Sequence, residues 1–126
     1  MKIRKLFDLP PGDKNPRNSE GSFLRLKDGR IVFAYSRYSG TSSDDGAYCE
    51  IAAMYSSDNG ETFSEPKILV RPDKSRGETN CMSVSLLELP NGDAGLFYLV
   101  KHTGMWSEMI LRRSGDGFDT LGEEIR

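Results

Sequence analysis

A chain of 126 residues, 37% hydrophobic and 29% charged, carries enough apolar mass for one modest core. Its net charge of -2 gives no electrostatic reason to expect nucleic acid or an anionic membrane as a partner. No apolar run reaches the length of a membrane span, and the opening MKIRKLFDLPPGDK lacks the apolar stretch of a signal peptide, so a cytoplasmic location is expected.

In chain order the pattern is β. Residues 1–14 read as an N-terminal segment or strand. Strands then follow at about 20–26, 30–38, 47–57 and 66–70, rich in β-branched and aromatic residues and bounded by Gly, Asp, Asn or Pro. A second set falls at 82–89, 94–101 and 108–114, with a fourth strand due near Glu124. No stretch holds a helical period long enough to support a helix. Cys49 and Cys81 are too few for a disulfide framework or a metal cluster and read as buried thiols; no metal and no cofactor is expected.

The two sets are copies of one unit. SFLRLKDG at 22–29 returns as SLLELPNG at 85–92, and Tyr35 returns as Tyr98 at the same spacing. SSDNGETF, Ser56 to Phe63, is echoed by SGDGFDTL, Ser114 to Leu121, with Phe118 standing where Gly60 stood. A period of about 60 residues with four strands and no helix predicts an all-β fold of β-propeller blades, each a four-stranded antiparallel meander. Blade 1 covers about 17–70, and blade 2 about 78–126 without its outer strand. A ring closes with at least four blades, so about two blades are an incomplete one.

SSDNGETF matches Ser-x-Asp-x-Gly-x-Thr-aromatic, the Asp-box or BNR repeat, and the chain resembles the N-terminal blades of the six-bladed sialidase (neuraminidase) propellers. FLRLKDGRIVFAYSR is similar to their first blade, and Arg37, Asp44–Asp45 and Ser56–Phe63 follow in the family's order. The family's Arg-Ile-Pro is replaced by Ser19-Glu20-Gly21, and Arg17 is the nearest arginine. Its further arginines and its Tyr/Glu nucleophile pair belong to later blades. The resemblance implies a glycoside hydrolase fragment, releasing terminal sialic acid or a related sugar from glycans, with a glycan or small carbohydrate as ligand.

In a meander, successive connections alternate between the two ends. Ser56, Asp58, Gly60, Thr62 and Phe63, with Ser114, Asp116 and Thr120, therefore lie at the short-turned end as structural Asp-box residues. Asp58 is expected to accept backbone N–H bonds, Gly60 to supply a positive φ, and Phe63 to plug the gap toward the neighbouring sheet. The opposite end gathers the long loops and the chemistry. By resemblance Asp44 or Asp45 is the acid/base, one of the two kept protonated by a partly buried site; SGTSSDDGA is equally a flexible, solvated turn. Arg37, Arg17, Glu20, Lys101 and Asn80 are the candidate substrate-binding residues, Lys101 lying close to Arg37's place in the second unit. A surface ion pair remains open for Arg37, and a scaffold role for Arg17 and Glu20. Trp106 reads as a sugar-stacking residue or a loop anchor, and His102 as a loop residue. A non-catalytic carbohydrate-binding or structural module is the alternative function. A homo-oligomer of three two-bladed chains completing a ring is a further possibility.

Overall fold

In a computed structural model, which describes residues 1–126, two antiparallel meanders lie side by side. The first sheet contains β1 (Arg17–Arg25), β2 (Ile31–Tyr38), β3 (Cys49–Ser56) and β4 (Lys67–Val70) in that order. The second contains β5 (Glu78–Glu88), β6 (Ala94–His102) and β7 (Trp106–Ser114). The fourth strand expected near Glu124 begins as a bridge between Ile125 and Leu111, each N–H donating to the other's carbonyl at 2.9 Å. One 3-10 turn, Lys74–Arg76, links the sheets. The architecture is all-β, as the strand pattern and the absence of a helical period predict.

Alternation along β2 sorts the core. Val32, Ala34, Ser36 and Tyr38 face the second sheet, while Phe33, Tyr35 and Arg37 face away. Ala34 pairs with Ala53, and these small residues share the core with the larger Leu96, Tyr98 and Ile110 of the second sheet. Val32, Leu96 and Ile110 are fully buried, each worth about 1.5–3 kcal/mol of burial.

Both inner strands start earlier than the apolar pattern predicts, at Arg17 and Glu78, because each carries a bulge. Glu20 (φ 45°) and Ser83 (φ 55°) hold the extra residues at the same place in the two repeats, and a bulge resets the period of two. The first sheet satisfies the bulged backbone of the second. Ser83 N–H donates to Ser36 Oγ at 3.0 Å and to Glu20 Oε2 at 3.2 Å, and Leu86 N–H donates to Ser22 Oγ at 3.0 Å. Glu20 is thus committed to the joint between the sheets.

Of the two readings of residues 1–14, segment or strand, the chain adopts the irregular segment, and Phe7 packs across the far face of the first sheet, 5.2 Å from the Phe33 ring and 5.0 Å from Phe63. One expectation needs correction. Phe63 joins this aromatic cluster and does not fill the space between the two sheets. That space is filled at the turn end by Phe118, which is buried, while the preceding Gly117 carbonyl accepts a 2.6 Å bond from Tyr55 OH.

Candidate functional site

The two turns with the Ser-x-Asp pattern are closed by their own side chains. Ser56 Oγ accepts from Gly60 N–H and donates to Asp58 Oδ1, both at 2.8 Å. Asp58 also accepts from Thr62 N–H at 2.9 Å and from the Thr62 hydroxyl. The second turn repeats this: Ser114 Oγ accepts from Phe118 N–H at 2.9 Å, and Asp116 accepts from Thr120 N–H at 2.9 Å and Thr120 Oγ1 at 2.6 Å. Bonds from the following threonine and preceding serine hold both carboxyls down to about 2. Gly60 takes φ 89° and Phe118 takes φ 72°. Bulky residues rarely adopt this left-handed region, and burial of the Phe118 ring offsets the strain.

The opposite end brings four of the candidate residues together. Arg17 opens β1, and its guanidinium lies over the Tyr38 ring, 4.6 Å from the centroid. Its Nη1 donates to Asp45 Oδ1 at 3.0 Å. Lys101, near the end of β6, donates from Nζ to the Asp45 main-chain carbonyl at 2.8 Å and lies 3.4 Å from Asp45 Oδ2. Asn80, fully buried on β5, donates to the Ala47 carbonyl at 2.6 Å, anchoring the far end of the 39–48 loop, while its Oδ1 is left without a partner. Two cations thus share one carboxylate at a loop tied down by a buried amide.

The electrostatics differ from those expected of a proton donor. Asp45 is 70% exposed, and the Arg17 hydrogen bond, then the Lys101 charge, hold its carboxyl below the usual carboxylate range. The loop carries both Asp44 and Asp45 into solvent, so the partly buried setting expected for one of them is absent. Asp44 contributes its backbone to the loop, accepting from Ala47 N–H at 2.9 Å and donating to Ser42 Oγ at 3.2 Å.

Arg37 and Glu20 are not part of this cluster. Arg37 points to the other face of β2 and donates to Glu50 Oε1 at 3.0 Å; Arg71 approaches the same carboxylate at 3.5 Å. Glu50 is nearly buried, and a depression of about 490 Å³ beside it is bordered by Asn15, Asn18 and Tyr35. Lys101 is the counterpart of Tyr38, since Asn80 pairs with Lys101 as Arg17 pairs with Tyr38; Val100 takes the place of Arg37. A one-residue difference in a strand exchanges faces. Glu50, which the sequence reading passed over, was detectable as the opposite charge directly across from Arg37 on β3.

At the same end His102 is buried, with Nε2 2.9 Å from Glu108 Oε1, and its ring stacks on Trp106 at 3.7 Å between centroids. Both cysteines are fully buried.

No protein-family model matches the chain, and no curated protein matches it. Solved structures do. A Hadza microbial sialidase superimposes with a TM-score of 0.70 at 16% identity, over 90% of this chain and 26% of that one. An α-L-arabinanase of Penicillium chrysogenum, complexed with arabinobiose, gives 0.65 at 19% identity, over 91% and 33%. A family 117 glycoside hydrolase of the marine bacterium Zobellia galactanivorans gives 0.66 at 18% identity, over 94% and 41%. The chain therefore has the β-propeller fold of such glycosidases and spans less than half the length of each.

Proposed function

We propose that the chain contributes two blades, about 17–70 and 78–126, to a sialidase-like Asp-box propeller, and that its long-looped end binds an acidic saccharide. The observation that carries this reading is the pair of cations, Arg17 and Lys101, sharing the exposed carboxylate of Asp45. A sugar carboxylate has the same charge and the same two-oxygen geometry, so it can replace Asp45 on the arginine. The likeness to the Hadza microbial sialidase favours sialic acid among the acidic sugars.

The exchange gives Asp45 a part in hydrolysis. Bound to two cations it stays ionised and cannot deliver a proton. Once a substrate carboxylate takes the cations, Asp45 loses its partners and gains a negative neighbour, and both changes raise its affinity for a proton. Having taken a proton from solvent, it then donates that proton to the leaving glycosidic oxygen and, ionised again, accepts one from the attacking water in the second step. Nucleophile and further arginines fall, by the family resemblance, to other blades. Asp45's ionised state in the free protein favours a second reading, a carbohydrate-binding module without turnover.

Calorimetric titration with 3′-sialyllactose and hydrolysis of a fluorogenic sialoside test both. Saturable binding that weakens at least about tenfold in Arg17→Met supports the site, since a charge-assisted pair is worth about 1.5–3 kcal/mol. Hydrolysis lost in Asp45→Asn supports the enzyme, binding without hydrolysis supports the module, and absence of binding overturns both.

A further inference from the structure

We infer that the groove between the 39–48 and 103–107 loops is a saccharide subsite adjoining the acidic site, in which Trp106 is the platform for one sugar ring; this rests on the carbohydrate reading above and extends it, since Lys101 borders both. Trp106 is the only tryptophan in the chain and the first residue of β7. One face of its indole is closed by His102, nearly parallel at 2° between planes and fixed from behind by Glu108 at 2.9 Å. Trp106 nonetheless stays 53% exposed.

The connecting turn keeps it there. Gly104 takes φ 87° and Met105 φ 63°. A non-glycine residue in that region costs about 1 kcal/mol or more. A residue whose only task was to anchor the loop would be expected to bury its ring; here the turn holds the indole over an opening.

That opening is a groove of about 500 Å³ reaching from Trp106 to Thr79 and Gly46. Through Gly46, Thr79 and Thr103 it adjoins a second of about 370 Å³, which runs to Tyr48 and Lys74. The size suits a ligand of more than one ring. Its lining sets the apolar surface of Trp106 and Met105 beside the hydroxyls of Thr79, Thr103 and Ser107, with Lys101 on one wall. An aromatic face is electron-rich and takes the C–H face of a pyranose or furanose by dispersion and quadrupole attraction, while the ring's hydroxyls turn to polar neighbours. Flat aromatic surface flanked by a few hydroxyls matches the two-sided character of a sugar ring, apolar on its C–H face and polar at its edge.

Because Trp106 is the only tryptophan, emission excited selectively beyond the tyrosine band reports the environment of this groove. Titration with 3′-sialyllactose and with arabinobiose is expected to give a saturable change in emission with at least one of them. Trp106→Ala should weaken calorimetric binding of that sugar about tenfold, and Trp106→Phe much less. Gly46→Leu gives a second test, because Gly46 borders the groove and a Cβ there meets nothing within 4 Å, so a side chain has room to narrow the opening. It should weaken binding by a similar factor. Binding that depends on Arg17 but leaves emission unchanged and is indifferent to Gly46→Leu overturns the subsite and spares the acidic-site reading. An emission change abolished by Gly46→Leu but insensitive to Arg17→Met does the reverse. Absence of binding by either sugar overturns the subsite.

Discussion

Ser56→Ala is a small change that the turn geometry makes expensive. Ser56 is 1% exposed and Gly60 is buried beside it. Removing Oγ takes away the acceptor of the buried Gly60 N–H, 2.8 Å distant. Stranding a buried donor costs about 1–3 kcal/mol, so about 2 kcal/mol is expected, a sizeable share of the roughly 5–15 kcal/mol that holds a domain together. Ser57 lies one position on but is exposed and makes no side-chain bond, so Ser57→Ala should stay within about 0.5 kcal/mol of wild type. Urea unfolding of the two variants, followed by circular dichroism, gives the comparison directly from their midpoints. Ser114→Ala should behave like Ser56→Ala, since it strands Phe118 N–H in the same way. If Ser56→Ala and Ser57→Ala unfold at the same urea concentration, the turn is not held by the serine and the account of it is wrong.

Asp58 and Asp116 are held at about 2, below the ordinary carboxyl value of about 3.9, so each contributes stability that is present above pH ~4 and lost as pH falls toward ~2. Unfolding midpoints should drop across that window, and the Asp58→Asn, Asp116→Asn double variant should flatten the drop; an unchanged slope refutes the assignment. Phe118→Gly relieves a positive φ worth about 1 kcal/mol but removes a buried ring worth about 3–5, a net loss of about 2–4 kcal/mol by urea unfolding. Burial pushes the Cys49 thiol up to about 12 and raises Cys81 as well, so an aromatic disulfide reagent at pH 8 should label neither in the folded chain and both in denaturant.

Sequence alone located every strand and both braced turns, because those features are local. Asp28-Gly29 and Asn91-Gly92 mark the tight turns, and the β-branched and aromatic runs of β2 and β6 mark the strands between them. The strand starts at Arg17 and Glu78 were hidden by the bulges at Glu20 and Ser83, which break alternation where it would have been read. Four of the seven candidate residues come together. Arg17, Asp45, Lys101 and Asn80 meet as the strand ends imply, whereas Arg37 falls on the other face by the parity of one residue. Its cross-strand partner Glu50 would have signalled this. Nothing in the sequence indicated that Phe7 would lie over Phe33 and Phe63, since a single aromatic in an irregular segment has no period to read. The protonation of Asp45 depends on which cations reach it, and that is a matter of side-chain approach across the two sheets.

The central claim is that ligands bind at the long-looped end and not at the braced turns. Amide chemical-shift mapping of the ¹⁵N-labelled chain with 3′-sialyllactose tests it most directly. The expected result is saturable movement of Arg17, Asp45, Ala47 and Lys101, with Gly60, Thr62, Phe118 and Thr120 unmoved. Movement concentrated at residues 56–63 and 114–121 would contradict it.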